Sequence, residues 1–124
     1  PYLDYRTEET LTTAYNAFRE LEEEAAGLKC GDDVHELAKC LKIRNVVQLG
    51  QAQALAARER KESRIEHYRA DYPYMDNRNF AKWVVVSGTG GGMRAELAEI
   101  PFERYKYRPE AEIVDRCAPA KTGG

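Results

Sequence analysis

The side chains able to do chemistry crowd into one stretch. Arg58-Glu-Arg-Lys-Glu-Ser-Arg64 mixes both signs of charge, and His67, Arg69, Asp71, Tyr72 and Pro73 follow directly. Guanidinium and carboxylate groups pair bidentately in a fixed geometry, so a dense Arg, His and Asp cluster suits burial against a partner or a second domain. The plain alternative is a solvated helix end, with Arg58 and Glu62 paired four residues apart on one face. Neither His35 nor His67 stands beside a Ser or Cys nucleophile with an orienting acid, so a catalytic triad has no support. A run of mixed sign is also a poor nucleic-acid patch.

Two other features invite a chemical reading. Gly88-Thr-Gly-Gly-Gly92 offers bare backbone N–H groups of the kind that cradle phosphate. It lacks the Lys-Ser/Thr pair of a P-loop, and strand-like residues follow it, so it reads as a hairpin turn. Cys30, Cys40 and Cys117 are odd in number and irregular in spacing. They form neither a disulfide framework nor, with two distant histidines, a metal site, and are expected to be reduced thiols of a cytosolic protein.

At 124 residues the chain is one domain in length. With 43% hydrophobic and 32% charged residues it has the balance of a helix-rich globule. Nineteen basic against twenty-one acidic residues leave a net charge of −2, which draws in neither nucleic acid nor anionic lipid. Apolar runs such as Trp83–Val86 fall far short of the ~20 residues that a membrane span needs. The start carries no secretory signal pattern. A chain opening on Pro1 rather than Met is expected to be a processed or excised piece of a longer protein.

Two long helices must position the charged stretch. Leu11, Ala14, Tyr15, Phe18, Leu21, Ala25 and Leu28 recur at three- and four-residue steps, with Thr7 as N-cap and Glu8 and Glu9 in the first turn. Gly27 and Gly31 bracket a stop, and Asp32 or Asp33 caps a second helix. That helix carries Val34, Leu37, Ala38, Leu41, Asn45, Gln48, Ala52 and Leu55 on one face and is expected from about Asp33 to Arg64, with a break near Gly50. Paired antiparallel, the two helices leave an apolar stripe poorly covered, expected on Leu11, Tyr15, Phe18 and Leu41, unless the chain self-associates. Lys82–Ser87 and Met93–Ile100 read as the strands of a hairpin, and the tail from Pro101 as extended, frayed beyond Ala118.

Arg60-Lys-Glu-Ser-Arg-Ile-Glu-His-Tyr-Arg-Ala-Asp-Tyr-Pro73 resembles the Glu-Ser-Arg, His, Arg, Asp-(Tyr/Phe)-Pro signature near the end of succinate dehydrogenase and fumarate reductase flavoproteins; L-aspartate oxidase is a close relative. Arg6-Thr-Glu-Glu, the alanine-rich Gln51–Ala57, Asp76-Asn-Arg-Asn-Phe80 and Tyr105-Lys-Tyr-Arg-Pro109 are similar to the family's flanking segments. Ile65 and Glu66 depart from it, standing where a glycine and a small residue are usual, and Phe80 replaces a common tryptophan.

The resemblance implies a mainly α fold: a spectrin-repeat-like helical bundle in residues 1–73 whose third helix lies upstream of this chain, then a hairpin and extended tail in residues 74–124 of the same domain. It implies no catalytic, cofactor-binding or metal-ligating residue here. FAD belongs to the parent protein, which would interconvert succinate and fumarate or a similar dicarboxylate pair. The implied partners are the FAD-binding domain of the same polypeptide and an iron–sulfur subunit, with the parent cytoplasmic or at the inner face of the cytoplasmic membrane. Glu62, Ser63, Arg64, His67, Arg69, Asp71 and Tyr72 carry over as the motif that docks on the flavin domain. In this chain alone their charges are expected to be hydrated, with Arg64 and His67 sharing a helical face and Arg64→Ala nearly neutral. The rival reading is a free-standing helical interaction module without redox chemistry.

Overall fold

A computed structural model describes residues 5–89 and 92–107. Helix α1 runs Glu8–Ala26, α2 Val34–Glu59 and the single-turn α3 Asn77–Phe80. Strands β1 (Lys82–Thr89) and β2 (Gly92–Glu99) form an antiparallel pair, and a 3-10 turn follows at Phe102–Arg104.

Local chemistry accounts for the helix ends. Thr7 Oγ1 accepts from the Thr10 amide at 3.1 Å while Thr10 Oγ1 accepts from the Thr7 amide at 2.9 Å, a reciprocal cap that satisfies two donors. Gly27 closes α1, and Asp33 caps α2 through the His35 amide at 2.9 Å. His35 itself is exposed.

The expected break at Gly50 does not occur: α2 is continuous across it. A side chain at this position would collide with the Phe18 ring, so glycine is the residue that lets the two helices approach here. Leu11, Ala14 and Ala25 of α1 and Val47, Ala54, Leu55 and Ala57 of α2 form the core. Gln51, buried among them, donates to the Phe18 carbonyl at 3.3 Å and to Glu22 at 2.9 Å.

An apolar stripe is left open, but of the four residues expected on it only Leu41 is exposed. Leu11 is fully buried and Tyr15 and Phe18 are half-buried, whereas Leu21, Leu28, Val34, Leu37, Leu41 and Leu49 are exposed. The reason is register. Leu11 faces the C-terminal half of α2, where small residues admit close packing, and the N-terminal half of α2 has no helix on its other side among the described residues. No helix of these residues is long and apolar enough to cross a membrane.

The hairpin register pairs Lys82 with Glu99 and Val84 with Leu97. Its ladder extends through Thr89–Gly92, further than the Gly88–Gly92 loop expected from sequence. Residues 90 and 91, Cys117 and the tail beyond 107, Pro109 included, lie outside the described residues.

Candidate docking site at the helix ends

Helix α2 stops at Glu59, five residues short of the expected end, although neither glycine nor proline intervenes. The signature takes over the groups that would continue it. Arg69 Nη1 donates to the carbonyls of Ala57 and Arg58 at 3.1 and 3.0 Å, filling acceptors left open in the last turn. The expected Arg58–Glu62 pair is accordingly absent: Arg58 lies 3.5 Å from Glu8, and Glu62 turns to Arg60 and Arg64.

Residues 60–76 fold back as a tight loop. Arg64 and His67 exchange both backbone hydrogen bonds, at 2.7 and 2.8 Å. They are brought together as ends of a two-residue turn, not as neighbours on a helix. Between them Ile65 has φ 52°, the sole positive φ among the described non-glycine residues. Type II′ turns reserve this first central position for glycine, and a left-handed conformation costs a residue with a Cβ roughly 1–2 kcal/mol. The Ile65 side chain is 93% exposed and gains nothing inside the chain to offset that.

Two buried ion-pair centres hold the loop. Glu62, fully buried, accepts from Arg60 Nη1 at 2.6 Å, from Arg64 Nε and Nη2 at 2.9 and 3.1 Å, and from the Asp76 amide at 2.8 Å. Burial alone would push its carboxyl up, but these hydrogen bonds outweigh it and hold Glu62 below the usual carboxylate range. Arg60 continues to the Phe80 and Lys82 carbonyls at 2.9 and 2.7 Å and Arg64 to Asn77 at 2.5 Å, which fixes α3 and the base of the hairpin.

Arg69 is the second centre, also fully buried. It forks onto Asp71 at 2.7 and 2.6 Å and reaches Glu8 at 3.4 Å. Desolvation opposes its charge, but the Asp71 and Glu8 carboxylates prevail and raise its pKa further. The Tyr72 ring centroid lies 5.0 Å from its guanidinium. Ser63 Oγ accepts from the Arg69 amide at 2.8 Å and donates to the Tyr72 carbonyl at 2.8 Å. His67 Nε2 donates to the Arg60 carbonyl at 3.0 Å, and burial lowers the ring's pKa, so the neutral Nε2–H tautomer fits the site.

All seven residues singled out from sequence therefore meet in one loop. Of the charges expected to be hydrated, Asp71 is exposed and Arg64 and His67 are half-buried, but Arg69 has no solvent exposure; it and the equally buried Glu62 find their partners inside the chain. Sequence reasoning missed Arg6, Glu8, Arg60, Asp76 and Asn77 as members of the network. Arg6 donates to the Glu66 carbonyl at 2.9 Å, and its own carbonyl accepts from the Ala70 amide at 2.8 Å. No local pattern links residues sixty positions apart; only the motif at Arg6-Thr-Glu-Glu marked the place.

Among the described residues no glycine turn joins a strand to a helix, and the glycine-rich segment lies between antiparallel strands. These residues do not fit a dinucleotide cofactor, and no step of flavin chemistry is assigned to them.

The family model described as "Fumarate reductase flavoprotein C-term" matches residues 4–114. Among solved structures, a mutant of E. coli quinol fumarate reductase FrdA is similar at 23% identity with a TM-score of 0.75, a likeness of fold. The match covers 88% of this chain and 19% of that one, so the chain spans about a fifth of the relative's length. No curated protein matches the sequence significantly.

Proposed function

Because the chain belongs to the fumarate reductase flavoprotein C-terminal domain family, we propose that it docks on the FAD-binding domain of the same polypeptide as a non-catalytic helical domain. The parent is an FAD-dependent oxidoreductase of the succinate and fumarate type, passing electrons to an iron–sulfur partner. The observation that carries this reading is the signature loop. Its buried Arg69 and Glu62 make a rigid frame, and that frame presents Arg64, Asp71 and Tyr72 at the surface with their geometry already set. Preorganised groups of this kind lose little entropy on binding. Glu62, Ser63, His67 and Arg69 act from behind as positioning residues, and Tyr72 is the outward contact.

The test is made with the chain alone and with the longer flavoprotein polypeptide. Alone, and given excess FAD, the chain should stay colourless and fail to oxidise succinate in a dye-linked assay. In the longer polypeptide, Tyr72→Ala should loosen the domain and reduce flavin retention. A stoichiometric yellow complex of the chain alone would sink the reading. So would a longer polypeptide whose flavin content ignores both Tyr72→Ala and removal of residues 1–124, an outcome that favours a free-standing interaction module.

A further inference from the structure

A cleft opens where α3, the base of the hairpin and the 3-10 turn meet. It measures about 420 Å³, and Arg60, Arg64 and Lys82 line it together with Phe80, Ile100 and Phe102. A few polar groups set against apolar side chains are the composition of a binding pocket. Its charges do not balance. Arg60 and Arg64 share one carboxylate, Glu62, and Lys82 meets Glu99 at 2.6 Å, where the Glu99 side chain is 79% exposed. Arg64 spends Nε and Nη2 on Glu62 and Asn77, and its Nη1 carries two further donors. A positive rim held in place by buried Glu62, beside three apolar side chains, suits a carboxylate carried on an apolar group.

We propose that this cleft is a carboxylate-binding seat for residues 110–115 of the same chain. That segment lies outside the described residues; its composition and its tether fit the cleft. Arg108-Pro-Glu-Ala-Glu-Ile-Val-Asp115 sets three acids against one base. In an extended segment alternate side chains point opposite ways, so Glu110 and Glu112 meet the basic wall while Ala111 and Ile113 meet the apolar one. Reach is not limiting. Phe102 lines the cleft, and Glu110 is eight residues further on, at up to about 3.3–3.6 Å for each residue. So short a tether holds the acids at roughly millimolar effective concentration, enough to fill an open cleft of modest affinity. The seat goes beyond the docking proposed above and does not depend on it.

Trypsin tests the seat in the chain as it stands. Arg108 precedes Pro109 and resists cleavage, so the cut at Arg116 reports on the segment. It should be made about fivefold or more slowly in the chain than in a free peptide of residues 108–124. Glu110→Gln with Glu112→Gln should abolish that protection, as should salt at roughly 0.5 M, and Lys82→Gln should lower it about threefold. Lys82→Glu combined with Glu112→Lys should restore part of it. The paired Gln substitutions change only the segment, so the test holds even if Lys82→Gln perturbs the hairpin. Equal cutting in chain and peptide overturns the seat, and so does protection that survives the paired Gln substitutions. Protection that rises with chain concentration places the segment on a second copy, and the proposal fails. It fails too if Leu41→Glu with Leu49→Glu removes the protection while Lys82→Gln spares it, since the segment then lies on the open stripe.

Discussion

Arg69 and Asp71 grip each other through two hydrogen bonds, of 2.7 and 2.6 Å, while each closes the end of a different helix. The Arg69 guanidinium sits on the Ala57 and Arg58 carbonyls at the C-terminus of α2, and Asp71 Oδ2 accepts the Glu8 amide at the N-terminus of α1 at 2.8 Å. Each charge meets the helix end whose partial charge it complements. One ion pair therefore staples two antiparallel helices across the mouth of the bundle. Its members are two residues apart in sequence, yet the helix ends they join are about fifty apart.

That arrangement predicts a large effect from a small change. Arg69→Ala should destabilise the chain by about 2–4 kcal/mol, because it empties a buried site, leaves the Ala57 and Arg58 carbonyls unpaired and takes the partner from the solvent-exposed Asp71. Arg69→Lys restores the charge but not the fork, so it should recover only part of the loss. Urea melts measure both. A loss under 1 kcal/mol for Arg69→Ala would show that water replaces the guanidinium without penalty.

The same network sets a pH dependence in two stages. His67 titrates below its ordinary 6.5 in the folded chain: burial disfavours the ring's charge, and although the Arg60 carbonyl favours it, Arg6, Arg60 and Arg69 oppose it. The unfolded chain thus binds this proton more readily, so stability is full above about pH 6.5 and falls as pH drops below that. Asp71 lies below its ordinary 3.8, chiefly through the Arg69 hydrogen bonds, and Glu62 below its 4.5 because its donors outweigh burial. Their contribution is present above those values and is lost as pH falls through the lower folded ones. Melts from pH 8 to 3 should show both declines, and His67→Gln should abolish the upper one. A flat profile between pH 7 and 5 in the unmodified chain would contradict the first stage.

Gly50 makes a sharper packing prediction. Elsewhere in an exposed helix Gly→Ala stabilises by about 1 kcal/mol. Here the added methyl meets the Phe18 ring, so Gly50→Ala should instead destabilise by about 1–3 kcal/mol as an overpacked contact. Gly50→Ala combined with Phe18→Leu should recover part of this, and a double-mutant cycle reads the coupling. A more stable single variant would mean that the ring swings aside freely.

Much of this architecture was legible because it is written in local patterns. The Thr7 and Asp33 caps, the three- and four-residue apolar steps and the β-branched run of β1 each act within a few residues. The end of α2 was not, because the groups that terminate it sit on Arg69, ten residues downstream of Glu59 and beyond any capping pattern. Gly50 misled for a related reason: glycine reads as a helix breaker until Phe18 is seen against it. The site residues were found through their motif, but their burial was not. Whether a charged cluster faces water or its own chain depends on Glu8 and Arg6, which no spacing rule connects to Arg69 and Glu66.

The open stripe on α2 leads to the last prediction. Leu37, Leu41 and Leu49 lie at four- and eight-residue steps along one side of the helix, with Leu21 and Leu28 exposed on α1. Moving a fully exposed leucine out of water is worth about 1.5–3 kcal/mol, and these leucines are about half exposed, so several together supply a few kcal/mol towards pairing against the entropy of association. The isolated chain should sediment as a concentration-dependent mixture of monomer and dimer. Leu41→Glu with Leu49→Glu should shift it to monomer while changing the urea midpoint little, because neither side chain contributes to the buried core. In the longer polypeptide proposed above, where this stripe is proposed to pack against a further helix, the same pair of charges should weaken attachment of this domain. A chain that stays monomeric at hundreds of micromolar, with a longer polypeptide indifferent to the double substitution, would show that water covers the stripe in both settings.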